Sequence, residues 1–149
     1  MGNIRKMLPE DKETILRMMW EFYHSDAVHT NGSEEIYEAD VDACISENPY
    51  LEGYVFTDGE TLQGYAMVAK SFSTEFGKPC IWIEDLYLLP QYRGTGIGSR
   101  FLHYIGECYP KAILRLEAEE ENHHAVHVYK KAGFTVLPYL ELKKESLLD

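Results

Sequence analysis

The stretch that most restricts the fold of this chain runs from Ile81 to Cys108. An apolar run, Ile81 to Leu89, feeds a turn that carries Gly94, Gly96 and Gly98 at every second position. Helical spacing begins at once, with Ile97, Phe101, Ile105 and Cys108 on one face. Strand, glycine turn and helix in immediate succession aim backbone N–H groups at an anion. The glycines let the backbone approach it, and the helix N-terminus adds partial positive charge. Arg93 adds a side-chain donor suited to phosphate. The pattern predicts a phosphorylated ligand on this turn.

Three glycine-loop patterns compete for it. A Walker loop needs Gly-Lys-Ser/Thr, and the chain has Gly98-Ser99-Arg100. A dinucleotide loop needs G-x-G-x-x-G, and here the last glycine comes one residue early, although Glu117 lies where a ribose-binding acid would sit. The third pattern, Gln/Arg-x-x-Gly-x-Gly/Ala, is filled by Gln91, Gly94 and Gly96. An ordinary left-handed turn also accounts for glycines without any ligand.

A second segment, Asn122 to Phe134, reads as a capped helix followed by a strand. Asn122 is the N-cap, and Ala125, Val126, Tyr129 and Ala132 repeat at helical spacing. Gly133 sits where a glycine ends a helix. Asn122 and Tyr129 are seven residues apart, about 20° around the helix, so one face can meet one elongated ligand.

Together the two segments resemble the GNAT superfamily of N-acetyltransferases. That resemblance implies acetyl-coenzyme A as cosubstrate, with its pyrophosphate on Gln91, Arg93, Gly94, Thr95, Gly96, Ile97, Gly98 and Ser99. It places Asn122, Ala125 and Tyr129 along the same ligand. Glu84-Asp85-Leu86-Tyr87, followed by the glycine loop, is similar in particular to diamine (spermidine/spermine) acetyltransferases, in which the acidic strand residue meets the amine. The N-terminal third has no comparable match. The end of the first helix, Tyr23 and His24, is where such proteins line the acceptor site.

The chemistry assigns roles. An ammonium has no lone pair, so the attacking amine must lose a proton, and Glu84 is the candidate to take it. Backbone N–H groups from Leu86 to Leu88 polarise the acyl carbonyl. By resemblance, Tyr129 protonates the leaving sulfur; a core aromatic on an amphipathic helix is the alternative for it. Glu84 and Asp85 interrupt an apolar strand, which is costly unless they are paired or functional. On a regular strand they point to opposite faces, and a bulge would turn one toward the cleft. A structural ion pair is the alternative for either.

The remaining elements predict a mixed α+β sandwich, a central mixed sheet flanked by helices, formed by a single domain over 1–149. Strands are expected over Asn3–Leu8, Tyr54–Phe56, Leu62–Ala69, Cys80–Leu88 and Ala112–Ala118, with a last strand or strand pair over Phe134–Leu142. The Asp58-Gly59 pair marks a hairpin. A helix starting at Pro9-Glu10-Asp11 buries Ile15, Met18, Met19 and Phe22, and another runs from about Ser33 to Ser46. Lys143 to Asp149 is expected to fray.

The formal net charge of −11 argues against a nucleic-acid partner and confines an anionic ligand to a local positive site, with Lys130 and Lys131 close at hand. It steers a small cationic amine inward. No membrane span or signal peptide is read. Cys44, Cys80 and Cys108 read as reduced, mostly buried thiols of a cytoplasmic protein. His123 and His127 lack a third ligand, so no metal is expected. The expected function is acetyl transfer to a primary amine such as a polyamine. A protein or peptide amine, or a non-catalytic acyl-coenzyme A-binding domain, is the alternative. A homodimer through the Phe134–Leu142 edge is expected.

Overall fold

The computed structural model describes residues 2–28 and 32–146, so Leu147 to Asp149 of the expected fraying tail lie outside the described residues. Strand β1 (Asn3–Lys6) leads through a 3-10 turn at Pro9–Asp11 into helix α1 (Lys12–Tyr23). Proline at the first turn position suits a helix start, where its missing N–H costs nothing. Helix α2 (Glu34–Ile45) is capped by Ser33, whose side chain accepts from the Ile36 N–H at 3.3 Å. Strands β2 (Leu51–Asp58) and β3 (Thr61–Ser73) form the hairpin expected at Asp58-Gly59, with Gly59 at φ +61°.

Strand β4 (Lys78–Leu88), helix α3 (Ile97–Cys108) and strand β5 (Ile113–Leu116) follow, and helix α4 (His123–Lys131) is the last element among the described residues. The sheet order is β1-β2-β3-β4-β5. The first four strands are antiparallel to their neighbours, and β5 runs parallel to β4. A parallel pair needs a crossover, and α3 supplies it.

Side-chain alternation divides the core between the two faces. On one, Ile15, Met18 and Met19 of α1 and Tyr37 and Val41 of α2 pack on Val55, Tyr65, Met67 and Tyr87. On the other, Ile97, Phe101, Leu102 and Ile105 of α3 cover Tyr54, Phe56, Val68, Ile81 and Ile83. Each such large side chain taken from water contributes about 1.5–3 kcal/mol before the entropy of ordering is subtracted.

Three expectations are corrected. First, β5 is shorter than Ala112–Ala118. Its ladder with β4 ends at the pair Ile83–Leu116, because β4 bulges at the next residue. Second, no strand forms over Phe134–Leu142. Alternation alone makes no strand without a ladder partner, and Pro138 lacks the N–H one would need. The segment is tethered instead through the Tyr139 hydroxyl, which donates to Glu75. Third, Cys108 is exposed and Cys44 is only partly buried, leaving Cys80 as the buried thiol. The α3 face buried by the sheet ends at Ile105, so Cys108 projects beyond it.

Candidate active site

The bulge organises the site. Met67 of β3 pairs with Asp85, but Val68 pairs with Ile83, so Glu84 is the extra residue of β4. A bulge re-aims side chains where a flat strand could not. Here it leaves Glu84 exposed while Asp85 is 3% exposed. Asp85 lies on the α1/α2 face and accepts from the Tyr23 and Tyr65 hydroxyls, each at 2.8 Å. Those phenols compensate the carboxylate for lost water; burial still dominates and raises its pKa. The Tyr23 hydroxyl is held protonated by burial and the Asp85 charge. His24 makes different contacts. Its ring stacks on Trp20 at 4.2 Å, and Nδ1 lies 2.7 Å from the Trp20 carbonyl oxygen.

Glu84 reaches solvent, yet enclosure by the surrounding protein, then the charges of Asp85, Glu141 and Asp40, raise its pKa above the ordinary glutamate value. Asp40 on α2 is pushed up to about 6 by burial and by Asp85. Glu117, just beyond β5, is pushed up to about 7 by burial, by its hydrogen bond with Glu141 and by Glu84. Five carboxyls thus form one negative track around the bulge. Asp40 and Glu141 carried no signal in the sequence. One lies in an ordinary amphipathic helix and the other in an expected strand. Glu117 was visible only as an acid near the presumed cleft.

Past Ile83, the edge of β4 that faced β5 has no strand partner among the described residues. The Leu89 N–H donates to the Gln63 carbonyl on the β3 side at 2.9 Å. Strand alternation therefore turns the backbone of Leu86 and Leu88 toward the open edge and that of Tyr87 toward β3.

The open edge leads into the glycine turn. Gly94 and Gly96 adopt φ +76° and +87°, a left-handed conformation that glycine enters without strain. Among the described residues, the N–H groups of Gly94, Thr95, Gly96, Ile97, Gly98 and Ser99 have no acceptor. A Cβ built on Gly94, Gly96 or Gly98 would meet nothing within 4 Å. The result is an open cradle of six donors at the head of a twelve-residue helix, which fits a pyrophosphate. Gln91 is exposed in the 3-10 turn Pro90–Tyr92 just before it. Arg93 folds back: Nε donates to the Leu88 carbonyl at 3.0 Å, and the guanidinium lies 5.4 Å from the Tyr87 ring centroid. Beside Ser99, a groove of about 630 Å³ opens between α3 and α4, lined by Leu102, Leu114, Val128, Lys131 and Phe134.

In α4 the Asn122 side chain accepts from the Ala125 N–H at 3.3 Å, so it caps the helix. Tyr129 packs its ring edge-on against Phe134 at 6.2 Å. Its hydroxyl has no hydrogen-bond partner among the described residues, and burial raises its pKa. A phenol held neutral and unpartnered can give a proton.

The Acetyltransferase (GNAT) family profile matches residues 13–134. Thialysine N-epsilon-acetyltransferase of Sus scrofa is 32% identical over 143 residues, spanning 87% of this chain and 82% of that protein. Spermine/spermidine N(1)-acetyltransferase of Bacillus subtilis is 20% identical over 156 residues, spanning 98% and 95%. In fold, a possible acetyltransferase from Clostridium difficile 630 superposes with a TM-score of 0.82 at 19% identity, over 98% of both chains. AAC(6')-Iy, in complex with the bisubstrate analogue CoA-S-monomethyl-acetylneamine, gives 0.78 at 14% identity, over 98% of this chain and 99% of that one.

The five-stranded mixed sheet with its flanking helices is thus a fold shared with these acetyltransferases. The chain belongs to the GNAT acetyltransferase family, and it is an N-acetyltransferase.

Proposed function

We propose that this enzyme transfers the acetyl group of acetyl-coenzyme A directly to a primary amine, and that the acceptor is a small cationic amine. One observation carries this reading: the bulge that exposes Glu84 falls where β5 leaves the edge of β4. An amine held by Glu84 therefore lies next to backbone donors that no strand uses.

The bound thioester supplies an activated acyl group. The N–H groups of the Gly94–Ser99 turn hold the pyrophosphate, with Gln91 and Arg93 beside it, and the groove between α3 and α4 takes the remainder of the nucleotide end. The Leu86 and Leu88 N–H groups face the acyl oxygen and stabilise negative charge as it develops. Glu84 accepts the proton of the ammonium, directly or through water. Its raised pKa makes it a better base than an ordinary glutamate. The Tyr129 hydroxyl holds the proton for the departing sulfur. Asp85 and Tyr23 fix the acceptor side, and Asp40 adds negative potential there.

The negative track and the relatives' activities on thialysine and spermine/spermidine support a small cationic acceptor. Three unpaired cysteines suit the reducing cytoplasm, and we read residues 1–149 as one domain. The uncovered apolar side chains Val136, Leu140 and Leu142 support a homodimer formed through the last segment.

The test is release of free thiol from acetyl-coenzyme A across polyamines, lysine-like amino acids, aminoglycosides and basic peptides, with calorimetric binding of coenzyme A alongside. Turnover of small amines is expected. Tight binding with turnover of peptides alone would move the acceptor to proteins, and absence of binding would remove the assignment of the glycine turn.

A further inference from the structure

Arg115 sits near the end of the β4–β5 ladder, two steps from the bulge, and has no part in the acetyl transfer derived above. It pairs with Trp82 in the β4–β5 ladder, one step before the strands part. Ile81 and Ile83 point into the α3 core, so Trp82 and Arg115 lie on the opposite face, the face of Asp85 and Tyr87. The guanidinium carbon of Arg115 lies 5.0 Å from the Trp82 ring centroid. Both residues are partly buried.

Among the described residues Arg115 has no ion pair and no side-chain hydrogen bond. That is unexpected in a chain of net charge −11; the charge of Arg115 acts on the Tyr139 hydroxyl, which itself donates to Glu75. The stack on Trp82 fixes the plane of the guanidinium while leaving its N–H fork free. A fixed fork matches a carboxylate in a two-bond geometry that a flexible ammonium cannot offer. Trp82 precedes the bulged Glu84 by two residues, which spaces the cationic and anionic ends of the site by about 7 Å along the strand.

Resting on the reading that Glu84 holds the reacting amine, we propose that Arg115 binds a carboxylate on the same acceptor. The substrate is then an amino acid with a terminal amine on a short aliphatic chain. Its amine lies at Glu84 and its carboxylate at Arg115. A lysine-like diamino acid meets both ends and keeps the net positive charge that the acidic track attracts. A polyamine would place a cation beside Arg115.

The experiment compares three acceptors of matched length on the wild-type enzyme: thialysine, its carboxamide, and the diamine lacking the carboxyl group. Roughly ten- to hundredfold higher kcat/KM for thialysine is expected, the range for a charged hydrogen-bond partner. Arg115→Gln should erase that preference by raising the KM for thialysine, with kcat and diamine turnover retained, and Arg115→Lys should restore part of it. Equal or better wild-type turnover of the diamine overturns the role of Arg115 while leaving acetyl transfer to amines intact. So does an equal loss on all three acceptors in Arg115→Gln, which would make the stack on Trp82 a packing contact. Because the wild-type comparison needs no substitution, it decides the matter even if Arg115→Gln fails to fold. Wild-type turnover of none of the three removes both the proposal and the reading of Glu84.

Discussion

The Tyr65 hydroxyl donates to Oδ2 of Asp85 at 2.8 Å, and both residues are closed to solvent. The bond joins β3 to β4 beside the bulge, so it fixes which of two adjacent acids is turned inward. A buried carboxylate that loses such a donor keeps its desolvation cost. Tyr65→Phe should therefore destabilise the fold by about 1–3 kcal/mol in chemical denaturation. The raised pKa of Asp85 gives the sign with pH. A carboxyl raised on folding contributes stability that is full below its unfolded pKa and is lost as pH rises through the folded one. Removing a donor raises it further, so the loss should be larger at pH 8 than at pH 5. A pH-independent loss would mean that Asp85 is not charged in the fold.

Glu84→Gln tests the base. The side chain stays polar and the same size, but it cannot take a proton. A fall in kcat of roughly a hundredfold or more is expected, with coenzyme A affinity retained. In the wild type, kcat/KM should fall on the acid side around a pKa above the ordinary glutamate value, because Glu84 must be ionised to act. That limb should vanish in Glu84→Gln. A change confined to the KM of the amine would make Glu84 a binding group and not the base.

Tyr129→Phe removes one unpartnered hydroxyl and leaves the ring on Phe134. Turnover should drop roughly a hundredfold with little change in melting temperature. Full turnover with an unchanged pH profile would return Tyr129 to a packing role.

Gly96 and Gly98 separate conformation from access. Gly96→Ala meets φ +87° and should cost about 1–2 kcal/mol of stability, as well as coenzyme A affinity. Gly98 has no positive φ and open space at its Cβ position. Gly98→Val should thus leave stability within about 1 kcal/mol while weakening coenzyme A binding roughly tenfold or more in calorimetry. Unchanged affinity in Gly98→Val would place the pyrophosphate elsewhere.

Glu117 and Glu141 link the last segment to the site. With Glu117 pushed up to about 7, the pair is favoured with one proton and disfavoured as pH rises through that value. Hydrogen-exchange protection near Glu141, corrected for intrinsic rates, should be higher at pH 6 than at pH 8. Glu141→Gln should abolish the difference.

The local parts of this enzyme were open to reading in the sequence. Gly94 and Gly96 take the left-handed turn because glycine alone does so without strain, and Asn122 caps α4 with its own side chain. Both follow from neighbours in the chain, as does the Asp58-Gly59 hairpin. The choice between Glu84 and Asp85 was different in kind. It depends on a register shift opposite Met67 and Val68, and no property of β4 by itself says where β3 will slip.

By itself the sequence determined the strand, glycine turn and helix that present six free N–H groups, and the capped helix that carries Tyr129, because short-range sterics and hydrogen bonding dictate them. Only the tertiary structure decided that Asp40, Glu117 and Glu141 converge on Glu84, that Arg115 stacks on Trp82, and that Phe134–Leu142 stays out of the sheet. Those outcomes depend on which strands and helices meet. Charge proximity and ladder pairing are properties of the contact, not of either segment that makes it.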